Sequence, residues 1–205
     1  MTKIIFTSVI FLYSSFFSIL FALSPLTTIE NFSTNLKNID YILLDIRDNS
    51  SFVKGHIEGS ISAPYHKFRG TKDNPGKILE EKILEETFEE LGLSIEKPII
   101  IVSNGNNPTD FGAASRVYWT LKSSGFKNLS ILNGGIQNWK NYGNELTREV
   151  EEIIPTNLSI NFSDKWTASI NEIKNSQSNS GDLLIDSRPS DFFYGNKKHN
   201  ASKVP

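Results

Sequence analysis

The chain has 205 residues, 21 lysines and arginines against 23 aspartates and glutamates, and 38% hydrophobic residues. This composition is typical of a folded globular protein, and its near-neutral charge gives no basic surface for nucleic acid. The absence of cysteine excludes a disulfide, an iron–sulfur cluster and a thiol nucleophile within these residues, and nothing in the sequence indicates a metal or another cofactor.

The N-terminal segment is predicted to direct export. Lys3 is the only charged residue before Glu30, and residues 4–22 contain 14 apolar residues and five serines or threonines. A basic start followed by an apolar run is typical of a secretory signal peptide, although a run of this length also allows an uncleaved membrane anchor. We therefore expect a periplasmic or extracellular protein, which contacts a membrane only if residues 4–22 are retained.

Strands and helices alternate after this segment. Short apolar runs of the kind that parallel sheets bury on both faces predict three strands: Ile42–Asp45, Ile99–Val102 and Leu129–Leu132. Helical spacing predicts three helices: residues 78–91, residues 112–124 and a short helix after Gly134-Gly135. Six glutamates on the first helix are interpreted as a solvated face, with an acidic binding patch as the alternative. The pattern predicts an α/β domain with a mainly parallel sheet flanked by helices.

An internal repeat divides the chain. The segment Ile42–Arg47 recurs as Leu183–Arg188, and Phe193 follows Phe52 at the same offset of 141 residues. The second copy has too few residues to fold alone, so we expect these residues to form only the incomplete start of a second domain. The predicted organisation is a signal or anchor over 1–23, a first domain over 24–148, a linker over 149–165 and the start of a second domain over 166–205.

Asp45, at the end of a predicted buried strand, allows three interpretations. A phospho-acceptor of the response-regulator type needs an acidic pair well upstream, where only Glu30 and Asp40 are found. A nucleophile of the haloacid-dehalogenase type needs a carboxylate two residues later, where this chain has Arg47. The third interpretation pairs Asp45 with Arg47, before the turn Gly55-His56-Ile57.

Several motifs in the same order resemble the rhodanese family. Together with the internal repeat, they resemble the two-domain thiosulfate and 3-mercaptopyruvate sulfurtransferases over about residues 24–195. The motifs are Asp45-Ile46-Arg47, Phe52, Gly55-His56-Ile57, Ala63-Pro64-Tyr65, Ala113–Trp119 and Ile131–Trp139. The resemblance implies a rhodanese-like domain followed by the beginning of another.

The resemblance also implies a reaction. A cysteine thiolate takes a sulfane sulfur from a small anionic donor, thiosulfate or 3-mercaptopyruvate, and passes it from a persulfide to a thiophilic acceptor such as cyanide or a thiol. Backbone N–H groups and a helix N-terminus stabilise such a thiolate. Asn104 occupies the cysteine position in the loop after the second predicted strand, and Asp110 is expected to cap the next helix. We therefore expect a non-catalytic first domain and a working cysteine beyond residue 205.

In the second copy, the resemblance assigns Asp186 and Arg188 to donor binding, because a guanidinium binds anions through paired hydrogen bonds. The alternative is that Arg188 only pairs with a nearby carboxylate, as Arg47 is expected to do. Residues 192–195 lack the second arginine typical of mercaptopyruvate-type members, which favours thiosulfate. The alternative function is a non-catalytic, rhodanese-like binding or regulatory module, which applies if the natural protein has no downstream cysteine.

Other conspicuous side chains are interpreted as structural. His56, in a Gly-His-Ile turn, is predicted to make hydrogen bonds within the fold and not to act in acid–base chemistry. Trp119 and Trp139 lie on apolar helical stripes and are predicted to pack in the core. Gly134-Gly135 is interpreted as a tight turn between a strand and a helix, because no Lys-Ser or Lys-Thr follows it as in a phosphate-binding loop.

Overall fold

The computed structural model describes residues 23–36, 39–178 and 181–198. The predicted export segment lies outside these residues apart from Leu23. Within the described ranges, no helix combines the length and apolar character needed to cross a membrane. The chain forms two compact units, the first ending at Asn161 and the second beginning at Phe162.

The first unit is built on a parallel sheet, as the sequence predicts. Its strands are β1 (Leu26–Thr27), β2 (Ile42–Asp45), β3 (Ser60–Ser62), β4 (Ile99–Val102) and β5 (Leu129–Leu132), in the spatial order β1-β5-β4-β2-β3. Every pairing between neighbouring strands is parallel. All residues of β2, β4 and β5 are buried, which explains why continuous apolar runs identified these three strands.

Helices cover the sheet. They are α1 (Ile29–Asn31), continued by a π-helical turn (Phe32–Leu36), α2 (Asn49–Phe52), a 3₁₀ turn (Tyr65–Phe68), α3 (Glu81–Glu90), α4 (Pro108–Ser123) and α5 (Gly135–Asn141). Helix α3 excludes Ile78 and Leu79, which precede it. Helix α4 begins earlier than predicted, because Pro108 is tolerated in the first helical turn and the Asn107 side chain caps the free N–H groups there.

The last residues of the first unit pack along α3. The Glu85 carboxylate accepts the backbone N–H of Ile160 and the Glu89 carboxylate accepts that of Leu158, each at 3.0 Å. The Thr156 hydroxyl donates to the carbonyl oxygen of Leu93 at 2.7 Å, and Ile160 is buried. The interpretation of the α3 glutamates as a fully solvated face is therefore wrong for these two carboxylates.

The second unit contains a 3₁₀ turn (Asp164–Trp166), α6 (Ile170–Ser176) and α7 (Ser190–Phe193). Its helix positions repeat those of the first unit: α7 and α2 have the same bounds at the 141-residue offset, and the α6 cap Ser169 corresponds to the α1 cap Thr28. Residues 183–185, predicted as a strand, form none. Their side chains are largely exposed, and no described strand of this unit pairs with them.

Candidate functional site

An open cavity of about 360 Å³ lies at the carboxyl ends of β2 and β4, the edge at which open α/β sheets hold ligands. We call it the cleft. Its walls come from the segment after β2, the 3₁₀ turn, the loop after β4 and the first turns of α4. They comprise Ile46, Arg47, Asp48, Ser51, Tyr65, Arg69, Ser103, Asn104, Thr109, Asp110 and Ala113.

Asp45 and Arg47 form a buried ion pair beside the cleft. The Nη2 and Nε atoms of Arg47 donate to the Asp45 carboxylate at 2.7 and 3.0 Å, and Nη2 also donates to the carbonyl oxygen of Gly55 at 2.8 Å. The Asp45 side chain has no exposed surface. A buried and paired carboxylate cannot reach a substrate, so the structure favours the third interpretation of Asp45 over a phospho-acceptor or a nucleophile.

The loop after β4 is held against the start of α5. The carbonyl oxygens of Ser103 and Asn104 accept the N–H groups of Ile136 and Gln137 at 2.9 and 3.0 Å. Gly105 has a φ of +84°, and a Cβ atom there would overlap the carbonyl oxygen of Gly134. The loop after β4 is therefore held in place by the turn at Gly134. Asn104, in this loop, lies on the cleft wall.

The loop uses its own side chains to bind its backbone donors. The Asn107 side-chain oxygen accepts the N–H groups of Thr109 and Asp110 at 2.8 and 3.1 Å. The Asp110 carboxylate accepts the N–H of Asn106 at 2.8 Å. The prediction that Asp110 caps α4 is wrong, because Asn107 is the cap and Asp110 closes the loop instead. The N–H groups of Asn106, Thr109 and Asp110 are therefore already bound. They would not be available to a thiolate if a cysteine stood at residue 104.

A sequence model of the family described as "Rhodanese-like domain" matches residues 28–142. The chain belongs to the rhodanese family.

Curated relatives are sulfurtransferases. The chain is 25% identical over 165 residues to a "Putative thiosulfate sulfurtransferase" of Synechococcus elongatus, covering 80% of this chain and 50% of that protein. It is 23% identical over 146 residues to the "3-mercaptopyruvate sulfurtransferase" of Escherichia coli K12, covering 69% and 50%. The chain spans about half the length of these relatives.

A solved structure shares the fold. The crystal structure of SseA, a 3-mercaptopyruvate sulfotransferase from Escherichia coli, aligns with a TM-score of 0.68 at 18% identity, covering 83% of this chain and 68% of that chain. This similarity confirms the α/β rhodanese fold.

The cleft of this rhodanese-like domain carries charges of both signs. The Arg69 guanidinium lies 5.1 Å from the centre of the Tyr65 ring, and its Nε donates to the carbonyl oxygen of Pro75. Asp48 carries a negative charge on the same cleft wall. Hydrogen bonds from Ser50 and Ser51 lower the pKa of Asp48 to about 2. Because Arg47 is neutralised by Asp45, the cleft does not concentrate positive charge as a site for a small dianion would.

Arg116 is a partly buried cation that the sequence motifs do not single out. Its guanidinium lies 4.7 Å from the centre of the Trp119 ring. The Nε and Nη2 atoms are buried and have no hydrogen-bond partner in the part of the chain that the structure describes, and burial lowers the Arg116 pKa. Trp119 is half-buried, so its ring is a partner of Arg116 and not a fully enclosed core residue.

His56 is structural, as predicted. It is 1% exposed, and its ring stacks on Phe52 with centroids 3.8 Å apart. The Nδ1 and Nε2 atoms lie 3.0 Å from the carbonyl oxygens of Phe52 and Glu149. Its backbone also exchanges hydrogen bonds with Thr147. His56 therefore ties the end of the domain to the turn after α2, away from the cleft wall.

In the second unit, Asp186 and Arg188 repeat the geometry of Asp45 and Arg47. The Nη2 and Nε atoms of Arg188 donate to the Asp186 carboxylate at 2.6 and 2.9 Å. These hydrogen bonds lower the pKa of Asp186 and raise that of Arg188. The Arg188 side chain is 53% exposed, whereas Arg47 is buried. Arg188 thus pairs with a nearby carboxylate, as the alternative interpretation expected. Its guanidinium nevertheless stays accessible.

Proposed function

We propose that this chain supplies a non-catalytic first domain and the opening of a second domain to a two-domain sulfurtransferase of the rhodanese type. The observation that carries the proposal is Asn104, a carboxamide at the position where the family resemblance implies a cysteine. The repeated helix positions and the repeated Asp-x-Arg ion pair support a second domain of the same kind. The half-length match to curated sulfurtransferases agrees with it.

In this proposal the chemistry takes place on a cysteine beyond residue 205. Its thiolate attacks the outer sulfur of thiosulfate, the S–S bond breaks, and sulfite leaves with the bonding electron pair. Cyanide or a thiolate then attacks the outer sulfur of the persulfide and releases the enzyme thiolate. Asn104 can take no part, because an amide is not a nucleophile and cannot carry a sulfane sulfur.

We assign donor binding to Arg188, oriented by Asp186. The Nη1 atom of Arg188 has no hydrogen bond to the described residues, and the side chain is accessible. An aligned guanidinium binds an oxyanion more strongly than a mobile one because less conformational freedom is lost. The absence of an arginine from residues 192–195 favours thiosulfate over 3-mercaptopyruvate.

The exposed apolar residues 183–185 also support the proposal. Leu183 and Ile185 are 80% and 78% exposed, in a segment that corresponds to the fully buried strand β2. A parallel strand of this kind needs a neighbour on each side and helices on both faces. Further residues of a second domain would supply them.

Thiocyanate formation from thiosulfate and cyanide tests this function. We expect no turnover from residues 24–205, and turnover from the natural gene product that depends on its downstream cysteine. In that product, R188K should raise the KM for thiosulfate with a smaller effect on kcat, while N104A should leave both unchanged. Turnover by residues 24–205 would refute the proposal, and a natural product without cysteine would leave only the binding-module alternative.

We further propose that the protein is exported, on the basis of the basic residue and the apolar run in residues 3–22. Cell fractionation with an antibody against the folded domain tests this. Recovery in the periplasm or medium, or in the membrane fraction if the segment is retained, is expected. Recovery from the cytoplasm as an intact soluble chain would contradict it.

A further inference from the structure

A second cavity, of about 310 Å³, shares no lining residue with the cleft. Tyr41 on its wall directly precedes β2, whereas the cleft residues follow that strand. A strand of this length separates its ends by about 13 Å, so the two cavities lie toward opposite ends of the sheet. The second cavity is lined by Phe32, Ser33, Tyr41, Ile57, Glu58, Trp139 and Asn144.

Three aromatic rings meet in this cavity at steep angles. The Phe32 ring centroid lies 5.4 Å from that of Tyr41 and 5.7 Å from that of Trp139, with interplanar angles of 61° and 70°. Phe32 is 5% exposed and forms the floor, while the other two rings are half-buried. The Trp139 indole is fixed by a 2.8 Å hydrogen bond from Nε1 to the carbonyl oxygen of Glu145. We call Phe32, Tyr41 and Trp139 the aromatic cage.

The charge beside the aromatic cage is negative. Among the described residues that line the cavity, Glu58 is the only charged one, and no cation in the described ranges forms an ion pair with it. Lys97, near Tyr41, is bound to Asp40 at 2.8 Å and therefore does not cancel this carboxylate. Burial raises the Tyr41 pKa, so its ring remains a neutral phenol at physiological pH.

We propose that the aromatic cage binds the trimethylammonium group of a small organic cation. Aromatic faces attract cations through their quadrupoles, and a quaternary ammonium, which makes no hydrogen bonds, suits a pocket walled by rings. Glu58 at the rim adds charge complementarity. The site goes beyond the proposed sulfur transfer and does not depend on it.

Calorimetric titration of the full chain with choline tests the proposal, with 3,3-dimethylbutan-1-ol as the neutral compound of the same shape. We expect choline to bind and the neutral compound to bind about tenfold more weakly or not at all. E58Q should weaken choline binding a few-fold and reduce its dependence on salt. W139L should weaken it about tenfold, whereas the matched control W119L, which removes the ring beside Arg116, should leave it unchanged.

If W139L does not fold, two comparisons still test the proposal. They are choline against the neutral compound, and the parent protein against the surface variant E58Q. Equal affinity for choline and the neutral compound would reduce the site to an apolar pocket, and a lack of saturable choline binding would overturn the proposal outright. If the protein sediments with phosphatidylcholine vesicles and free choline prevents this, the trimethylammonium group belongs to a lipid headgroup. If the protein binds choline but does not sediment with the vesicles, the group belongs to a free ligand. Neither measurement involves sulfur transfer, so failure here leaves the proposed function untouched.

Discussion

The carboxylate of Asp110 accepts the backbone N–H of Asn106 at 2.8 Å, so a side chain of this protein closes the loop that follows β4. Asn107 in turn binds the N–H groups of Thr109 and Asp110. Three backbone donors of the loop are therefore bound by side chains of the loop itself. Replacing Asn104 by cysteine would therefore not by itself create an environment that stabilises a thiolate.

A cysteine placed at residue 104 tests this environment. We expect N104C to have a thiol pKa close to the ordinary value of about 8.5, because three N–H groups of the loop are already bound to Asn107 and Asp110 and Asp110 adds negative charge. Adding D110N should lower the thiol pKa by removing that charge. The pH dependence of alkylation by iodoacetamide measures both values, and a thiol pKa well below 7 in N104C alone would contradict the argument.

The buried pair of Asp45 and Arg47 predicts a large stability effect. D45N leaves the Arg47 guanidinium in the interior without its counter-charge, and breaking a buried pair in this way costs about 3–5 kcal/mol. Urea denaturation followed by circular dichroism measures the loss of unfolding free energy. The matched control is D186N, which breaks the same hydrogen-bonding pattern on an exposed arginine and should change stability far less. Equal effects of D45N and D186N would count against burial as the cause.

The central strands and the pairing of Arg47 with Asp45 could be predicted because they are local. The apolar runs of β2, β4 and β5 are continuous, and the two members of the ion pair are two residues apart. Strands β1 and β3 could not be predicted, because they contain two and three residues and depend on pairing with β5 and β2. The segment 183–185 has the sequence of a strand but no described neighbour to pair with.

The site was predicted less completely, because its details depend on contacts distant in sequence. The position of Asn104 followed from the motif, but the choice between Asn107 and Asp110 as the helix cap depends on the backbone path of the loop. Glu85 contacts Ile160 across 75 residues, a pairing that no local pattern contains. The aromatic cage likewise joins three segments, and only the packing role of Trp139 was foreseen.

Asp48 predicts a pH dependence of stability. Hydrogen bonds from Ser50 and Ser51 lower its pKa to about 2, so its contribution is present at neutral pH and is lost as the pH falls from about 4 to about 2. D48N keeps a capping oxygen without the charge, and should be slightly less stable than the parent protein at pH 7. Thermal unfolding across this pH range should show the difference shrink toward the acid end. A difference that stays the same between pH 4 and pH 2 would exclude the carboxylate charge as its cause.

The contacts of Glu85 and Glu89 predict local protection. E89Q should weaken the hydrogen bond to the Leu158 N–H, and E85Q that to the Ile160 N–H, because charged acceptors bind more strongly than neutral ones. Hydrogen exchange at residues 156–160 should become faster in both variants. The matched control E86Q alters a glutamate of the same helix that pairs with Lys82, and it should leave exchange in this segment unchanged. Faster exchange in all three variants would instead indicate general loosening of α3.

A substitution at Gly135 tests how strongly the start of α5 holds the loop after β4. Its φ is +52°, and an added Cβ would overlap the carbonyl oxygen of Ser103. G135A should therefore both strain the backbone and push the loop away from α5, with a loss of more than about 1 kcal/mol in unfolding free energy. G112A is the matched control, because a Cβ there meets open space on helix α4 and should stabilise the protein by about 0.4–1 kcal/mol. Urea denaturation of the two variants should thus give changes of opposite sign. A neutral G135A would show that the loop can move without cost and that the contact with α5 does not fix it.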